Sequence, residues 1–414
     1  MILVLFLVLR IVQHLAERWL SLLNRRYYED ERRRTEAGRI LGISLDDMEK
    51  TLAYSKDKSV FSSVNSWIDV IITVVFIGVG GLGYFESLAK TIVSLIGGNA
   101  ILTGLAFFAL ISVASSIIDL PFDIYYTFVL EQKHGFNKQT VKGFVTDMVK
   151  GLFLGTILGG ALLYIVLWIM ESKGPWWIYA WIAVFGFSLM TMWIYPTLLA
   201  PLFNKFTPLE EGELKDKIFA LADKVGFKAD SISIMDASRR STHGNAYFTG
   251  VFGKKKIVLF DTLVKSMTTD EIVAVLAHEL GHFRLHHIRW RLIRSFLITG
   301  ALFFALYYCS SFELFYKAFS FEGISNYGAL VVFSLWFGLI GFLFSPIGSY
   351  ISRRDEFDAD RFALANHGDN KKLGDALLKL REKSHVMPIS HPIFSAVYHS
   401  HPPLLERLKA MGYI

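Results

Sequence analysis

Apolar runs alternate with polar segments along the whole chain of 414 residues. An α-helix needs about 20 mostly apolar residues to cross a bilayer. Six runs have about this length, and they occupy residues 66–88, 91–118, 151–170, 174–204, 295–312 and 323–352. The run 295–312 is the shortest and only comes close to it. We predict a membrane helix for each of these six runs.

The N-terminal segment 1–23 predicts one more membrane helix. It begins with a strongly apolar stretch and then carries Arg10, His14, Glu17 and Arg18, so its second half is partly polar. A secretory signal peptide would begin with basic residues and end in a small-residue cleavage site, and neither feature is present. We therefore predict an uncleaved first span, which brings the total to seven.

Basic residues fall in alternate connections between these spans. Residues 24–65 contain nine Lys and Arg residues and predict a solvated loop near anionic lipid, with an amphipathic surface helix as the alternative. The connection after the third span, the connection after the fifth span and the C-terminal tail are also basic. The other connections carry only Lys90, Lys173 and Lys317. Because basic loops stay in the cytoplasm, the N-terminus is expected outside and the C-terminus inside.

Composition agrees with a membrane protein and excludes other classes. Hydrophobic residues make up 53% of the chain and charged residues only 19%, against about 25% charged in soluble domains. The net charge of +6 follows from the basic loops, and no basic aromatic patch indicates a nucleic-acid partner. The single cysteine, Cys309, lies in an apolar run, so an intrachain disulfide and a thiolate metal site are both excluded.

Residues 205–294 form a long polar insert with mixed secondary structure. The pattern predicts a helix at 210–225 and short strands at 231–235, 245–252 and 255–260. Thr268 and Glu271 have the spacing of a capping box, which predicts the start of a further helix.

That helix carries the sequence H-E-L-G-H, from His278 to His282. Two histidines four residues apart share one helical face, so both imidazoles can bind one metal ion. Glu279 projects beside them, where a carboxylate can take a proton from water. This arrangement is typical of zinc proteases.

A catalytic zinc site takes three protein ligands, so one more is needed. A second helical segment, 352–365, carries Asp355, Glu356, Asp358 and Asp360. Among these we choose Glu356 as the third ligand and Asp360, one turn later, as the hydrogen-bond partner of a ligating histidine. The alternative is a solvated helix on which these acids pair with neighbouring arginines.

Two further histidines follow the motif. On a straight helix His286 would lie about 12 Å from His278, at 1.5 Å per residue, so it cannot join the same ion. We predict that His286 and His287 are interfacial or polar packing residues.

Several segments resemble those of one known family. They are L-P-F-D-I-Y-Y-T-F-V-L-E-Q-K-H-G-F-N-K-Q-T (120–140), A-P-L-F-N-K-F-T-P-L (200–209), N-A-Y-F (245–248), H-E-L-G-H (278–282), R-R-D-E-F-D-A-D (353–360) and S-H-P-P-L-L-E-R (400–407). With them the chain resembles the type I CAAX prenyl proteases, which are integral-membrane zinc metalloproteases of the gluzincin type.

The resemblance implies roles for individual residues. His278, His282 and Glu356 would bind one Zn²⁺ ion, Glu279 would be the general base, and Asp360 would support the ligands. The peptide would add as a strand beside Asn245, Ala246, Tyr247 and Phe248. His401 and Arg407 would line the site, and His401 would stabilise the oxyanion.

The resemblance also implies the architecture: a mainly α-helical membrane protein with seven transmembrane helices around an intramembrane chamber, and a small α/β zinc-protease insert. We divide the chain into helices one to five with their loops (1–204), the insert (205–294), helices six and seven (295–352), and a tail with the third ligand and the H-P-P segment (353–414).

The expected reaction is removal of the last three residues after a prenylated cysteine. A related membrane quality-control protease with broader specificity is the alternative, and a non-catalytic transporter or scaffold would leave H-E-L-G-H unexplained. The expected partners are a peptide or prenylated protein C-terminus and membrane lipid, with no nucleic acid. The expected location is the inner membrane in a bacterium, or the endoplasmic reticulum membrane in a eukaryote.

Overall fold

The computed structural model describes residues 1–249, 255–367 and 369–414, and most of them are helical. The helices are α1 (Ile2–Glu29), α2 (Glu31–Leu41), α3 (Leu45–Gly78), α4 (Gly81–Ser94), α5 (Ala100–Tyr125), α6 (Val141–Met170), α7 (Trp176–Ile194), α8 (Ala200–Phe203), α9 (Glu213–Lys224), α10 (Asp261–Ser266), α11 (Thr269–Arg284), α12 (His287–Cys309), α13 (Glu313–Ala318), α14 (Asn326–His367), α15 (Asn370–Ser384), α16 (Pro392–Tyr398) and α17 (Leu404–Ala410). Two π-helical segments, Tyr126–Glu131 and Tyr195–Leu199, extend α5 and α7.

In the part of the chain that the structure describes, six helical segments are long and apolar enough to cross a membrane. They are Leu45–Gly78, Ala100–Glu131, Val141–Met170, Trp176–Phe203, His287–Cys309 and Asn326–His367. Helix α1 has 28 residues, which is a sufficient length, but it also carries Arg10, Glu17 and Arg18. The structure therefore gives six candidate spans against the predicted seven, and the span predicted at 1–23 corresponds to α1.

The predicted boundaries of the second and third spans were wrong. Residues 24–65 are mainly helical rather than a loop, and α2 agrees with the alternative of a helix in this segment. Asp30 caps α2 and Ser44 caps α3 with side-chain oxygens that accept backbone N–H groups. Helix α3 ends at Gly78, and Gly80, whose φ of 83° suits glycine, directly precedes α4, so the run 66–88 is broken between the two helices. Helix α5 begins only after Asn99, which caps it.

The membrane helices form a closed ring. Helix α1 contacts α3, and α3 reaches α5 through α4 and the adjoining π-helical segment. Helices α5, α6, α7, α12 and α14 follow in order until α14 contacts α1 again, and α14 also contacts α5 and α6 across the ring. At most 22% of the residues in the most apolar window of each span are buried. Most residues of these windows are therefore at least partly exposed, as expected of helices that contact lipid.

The polar insert holds a four-stranded sheet. Strands β1 (Phe206–Pro208), β2 (Ser231–Met235), β3 (Ala246–Thr249) and β4 (Lys256–Phe260) lie in the order β1-β2-β4-β3. Strands β2 and β4 are parallel, and the other two pairs are antiparallel. The sequence predicted β2, β3 and β4 but missed β1, and positions 250–252 of the strand predicted at 245–252 lie outside the described residues. Strand β3 is an edge strand, and α11 lies beside it.

Helix α11 is the centre of the core beneath this sheet. Nearly all of its residues from Glu271 to Gly281 are buried. It packs against α9, α14, α15 and β3. The same hydrophobic core includes residues of the tail, among them Leu373, Ala376 and Leu408. The insert and the tail therefore enclose α11 together.

Gly281 sets how closely α11 approaches α14. A Cβ at this position would lie 3.2 Å from the Ala359 Cα atom and 3.2 Å from the Phe362 ring. Both neighbours resist movement, since one is backbone and the other is a packed aromatic ring. The missing side chain thus allows the two helices to bring their polar residues together.

We expect Gly281→Ala to destabilise the protein. Alanine has the better helix propensity by about 1 kcal/mol, but the clash with α14 should cost roughly 1–3 kcal/mol. Thermal unfolding in detergent should show a lower Tm for this variant. Gly338→Ala is the matched control, because a Cβ there meets nothing within 4 Å, and its Tm should stay the same or rise. An unchanged Tm for Gly281→Ala would refute the close-packing argument.

Candidate metal centre

The capping box fixes the start of the helix that carries the two candidate histidine ligands. The Glu271 side chain accepts a hydrogen bond from the Thr268 backbone N–H at 2.8 Å, and Thr268 Oγ1 accepts one from Glu271 N–H at 3.4 Å. This confirms the predicted box. Two and a half turns later, the Nε2 atoms of His278 and His282 lie 3.3 Å apart. Both rings therefore direct the same nitrogen to one point.

Helix α14 brings a carboxylate to that point. Glu356 Oε2 lies 3.3 Å from His278 Nε2, and Glu356 Oε1 lies 3.3 Å from His282 Nε2. One ligand atom from each of the three residues falls within 4.8 Å of the others. Two imidazole nitrogens and a carboxylate oxygen form a donor set typical of catalytic zinc sites, in which water takes the fourth position.

The burial of these groups fits a metal ion better than a surface ion pair. His278 keeps 7% of its surface exposed and Glu356 keeps 5%. Glu356 Oε2 is buried and makes no hydrogen bond, although His278 Nε2 is 3.3 Å away. A buried carboxylate oxygen without a hydrogen bond is costly unless a cation neutralises it. The solvated-helix alternative is therefore not what the structure shows for Glu356.

Asp360 contacts the outer nitrogen of the first ligand. Its Oδ1 lies 2.8 Å from His278 Nδ1. Burial lowers the pKa of His278, but the adjacent carboxylates of Asp360 and Glu356 outweigh burial and raise the pKa to about 9. These carboxylates thus create an environment that favours a positive charge between the rings, which a bound cation can supply.

Arg407 lies behind the candidate ligands rather than in an open cleft. It is buried and donates two hydrogen bonds to Asp360, at 2.9 Å from Nε and 2.6 Å from Nη2. Its Nη1 lies 3.8 Å from Glu356 Oε2. This bidentate geometry fixes the carboxylate that in turn holds His278. The predicted contact between Arg407 and substrate has no support in this placement.

Glu279 follows His278 directly and is only partly buried. Burial raises the pKa of its carboxyl, while the nearby histidines His278 and His282 oppose that shift. A raised pKa brings a carboxylate closer to the basicity that a general base needs near neutral pH.

His401 approaches the same carboxylate from the tail. Its Nε2 lies 3.3 Å from Glu356 Oε1, and its Nδ1 lies 3.0 Å from Ser400 Oγ. About 65% of its side chain is exposed, so the ring faces the open side of the site. Burial of part of the ring lowers the pKa of His401, and the Glu356 carboxylate opposes that shift.

Arg353 fixes the loop that carries His401, and the sequence analysis did not identify it. Its Nη1 donates to the carbonyl oxygens of Ser395 at 2.6 Å and of His399 at 3.0 Å. These carbonyls lie at the end of α16, just before His401. The signal was present in the sequence, since Arg353 lies three residues before Glu356 and thus nearly on the same face of α14.

The four residues assigned to substrate binding lie at the edge of the sheet. Asn245 is exposed, and its backbone carbonyl accepts a hydrogen bond from Phe260 N–H at 3.0 Å. Ala246 and Phe248 pack into the core, while Tyr247 faces the ring of Phe260 on the other side. Among the described strands, β3 pairs only with β4, so its outer edge can accept another strand.

The two histidines after the motif do not lie on the straight helix that the prediction assumed. Helix α11 ends at Arg284, and His286 adopts a left-handed φ of 59°. His286 is exposed, but His287 is buried, and its Nδ1 lies 3.0 Å from His282 Nδ1. His287 is therefore a neighbour of a candidate ligand.

Family models match nearly the whole chain. A model described as the N-terminal part of CAAX prenyl proteases, with five membrane helices, matches residues 27–205. The model of peptidase family M48 matches residues 208–414, which include all candidate ligands. Membership of this metallopeptidase family implies a bound metal ion.

Individual relatives are similar over most of their length. A protein of Arabidopsis thaliana named CAAX prenyl protease 1 homolog is 40% identical, over 89% of this chain and 88% of the relative. CAAX prenyl protease 1 of Saccharomyces cerevisiae is 39% identical, over 91% and 88%. The human homolog is 32% identical, over 96% and 92%.

A solved structure extends the similarity to the fold. The crystal structure of S. mikatae Ste24p superposes with a TM-score of 0.89 and 36% identity, covering 99% of this chain and 98% of that one. The non-catalytic alternative is thereby excluded. With both family models, close relatives and a solved structure in agreement, the chain belongs to the type I CAAX prenyl proteases of peptidase family M48, which are integral-membrane metalloendopeptidases.

Proposed function

We propose that this protein is a zinc-dependent endopeptidase that removes the C-terminal tripeptide from prenylated CAAX proteins. The observation that carries the proposal is the convergence of His278, His282 and Glu356, with Glu279 on the same helix turn. The names of the relatives, CAAX prenyl protease 1 and its homologs, support the substrate class.

His278, His282 and Glu356 would hold one Zn²⁺ ion. Nitrogen ligands with one carboxylate suit zinc better than calcium or magnesium, which prefer sets of oxygen ligands. When bound, zinc polarises the scissile carbonyl and lowers the pKa of water to about 7. Asp360 and Arg407 would keep His278 in the orientation that binds through Nε2.

Glu279 would transfer the proton. Its carboxylate accepts a proton from water while the water oxygen forms a bond to the scissile carbonyl carbon. The same proton then passes from Glu279 to the amide nitrogen as the carbon–nitrogen bond breaks. The products are a new carboxylate on the prenylated cysteine and the free amine of the tripeptide.

His401 is suited to donate a hydrogen bond to the oxyanion. Because the Ser400 hydroxyl can donate to His401 Nδ1 at 3.0 Å, the proton of the neutral ring would reside on Nε2. That nitrogen points towards Glu356, at the side of the candidate metal site. A positioned N–H at this place stabilises negative charge as it develops.

The substrate would bind as an added strand along β3, beside Asn245, Ala246, Tyr247 and Phe248. Peptide addition to a free sheet edge supplies main-chain hydrogen bonds without demanding one sequence. The position of β3 next to α11 supports this mode.

We place the site on the cytoplasmic side of the membrane. The basic connections contact one another at one end of the ring. Arg381 of the tail binds Asp47 at the start of α3. Lys138, in the connection between α5 and α6, donates its backbone N–H to the carbonyl of Arg240 in the insert at 3.0 Å. At the other end, Lys90 binds Glu322 at 2.7 Å. The end with the excess of Lys and Arg also carries the candidate metal centre, which supports a cytoplasmic orientation. The similar plant, yeast and human proteins favour the endoplasmic reticulum over a bacterial inner membrane.

The quality-control protease remains the alternative function, since it would use the same chemistry. The match of residues 27–205 to a model of CAAX prenyl proteases favours the tripeptide reaction.

We expect Glu356→Gln to lose zinc. Glutamine keeps the shape of the side chain but offers a neutral, weaker ligand, so zinc affinity should fall by more than about 10-fold. Metal analysis after dialysis against a weak chelator measures this change. Asp358→Asn is the control, because Asp358 pairs with Arg361 on the same helix, and it should retain one zinc per chain. Full zinc occupancy in Glu356→Gln would exclude Glu356 as a ligand.

Glu279→Gln should separate metal binding from hydrolysis. The variant should bind zinc like the wild type, but its kcat should fall by about 10²- to 10⁴-fold or more because the proton acceptor is lost. A peptide-cleavage assay together with metal analysis on the same preparation tests both parts. Substantial remaining hydrolysis would rule out Glu279 as the general base.

Matched peptides test the substrate class. A farnesylated CAAX peptide should be cleaved with a kcat/KM at least about 10-fold higher than its unmodified counterpart, because each buried methylene contributes about 0.8 kcal/mol. Mass spectrometry should find one product, shortened by three residues, and Glu279→Gln should form none. Equal cleavage of both peptides, or cleavage at internal bonds, would favour the quality-control function instead.

A further inference from the structure

We propose that His287 is a positioning residue for the metal centre: its ring accepts the Nδ1 proton of His282 and fixes how that ligand presents Nε2. The inference rests on the proposed metal-binding function and adds a residue to it. Neither the H-E-x-x-H spacing nor the acidic residues of segment 352–365 predicted this role for His287.

The two sides of the His282 ring face different partners. Its Nε2 lies 3.3 Å from Glu356 Oε1, on the side of the candidate ion. Its Nδ1 lies 3.0 Å from His287 Nδ1, which is hydrogen-bond distance. The two imidazole planes meet at 68°, with centroids 5.1 Å apart, so the contact is edge-on rather than stacked. His287 is 7% exposed, so little solvent competes for the contact.

Proton counting gives this contact a direction. A neutral imidazole carries one proton, and the nitrogen that binds a metal must be free of it. If His282 binds through Nε2, its proton resides on Nδ1 and is donated to His287. His287 Nδ1 must then be the acceptor, and the proton of His287 resides on its own Nε2.

The surroundings of His287 favour that tautomer. Its Nε2 faces Asp355 Oδ1 at 3.9 Å, which is too long for a direct hydrogen bond but close enough for the negative charge to attract an N–H dipole. The other oxygen of Asp355 lies 3.8 Å from Arg294 Nη2. Asp355 therefore acts on His282 through His287, much as Asp360 acts on His278 directly.

The break between α11 and α12 makes this contact possible. On a continuous helix, residues five apart point about 140° away from each other, at 100° per residue. The left-handed backbone at His286 turns the chain and brings His287 back onto His282. The two candidate ligands thus have different outer partners, a carboxylate for His278 and a neutral imidazole for His282.

Asparagine and glutamine at position 287 test the role of one ring nitrogen. The Oδ1 atom of asparagine is attached to Cγ, as Nδ1 of histidine is, so it can accept the same proton. The glutamine amide lies one bond further out and takes the place of Nε2. His287→Gln should therefore weaken zinc binding by about 10- to 100-fold, the usual effect of losing an outer partner of a ligand, whereas His287→Asn should stay close to the wild type.

The measurement is the zinc Kd of the purified full-length protein, obtained by competition with a chromophoric chelator. The absorption spectrum of the Co²⁺-substituted protein reports the ligand geometry independently and should change in His287→Gln only. His286→Asn is the control, because His286 is exposed and asparagine tolerates its left-handed backbone. The Tm of each metal-free variant separates loss of the ligand partner from loss of folding.

Each outcome decides one claim. Weak binding in His287→Gln with near-normal binding in His287→Asn, at similar Tm, supports the proposal. Wild-type affinity in His287→Gln, or equal loss in both variants, overturns it. If the wild-type protein itself binds no zinc at this site, the proposed function fails and not only the role of His287.

Discussion

The packing of α11 against α14 is the constraint on which the structure depends. One helix carries two histidines and the other carries Glu356, and the groups can share an ion only if the helix axes come close. Gly281 permits this approach, since even a methyl group there would meet the Ala359 backbone at 3.2 Å. The insert and the tail build their common hydrophobic core around this contact.

The close approach of α11 and α14 also brings several charged side chains together in the protein interior. Glu356 and Asp360 are both nearly inaccessible to water, and each would be unstable there alone. Arg407 neutralises Asp360, and the position between Glu356 and the histidines is left for a cation. The tail adds His401 to this centre. Arg353 holds the loop that carries His401 by donating hydrogen bonds to the carbonyl oxygens of Ser395 and His399. The ring of membrane helices brings these segments together at one of its ends.

Much of this arrangement followed from the sequence, and the exceptions have physical reasons. Helical spacing was enough to pair His278 with His282 and to place Asp360 one turn after Glu356. The segment 24–65 was misjudged because its charge suggested solvent, although Ser44 is an effective helix cap. His287 was missed because helical periodicity assumes an unbroken helix, and only the backbone shows the turn at His286. The role of Arg407 depends on tertiary contacts between distant segments, which spacing cannot reveal.

The central claim is that two imidazoles and one carboxylate bind a zinc ion at the junction of α11 and α14. Anomalous diffraction at the zinc edge from crystals of the purified protein tests it directly. The account predicts one strong peak per chain, about 2.0–2.2 Å from His278 Nε2, His282 Nε2 and a Glu356 oxygen. A zinc peak at another site, or none at these atoms in fully active protein, would contradict it.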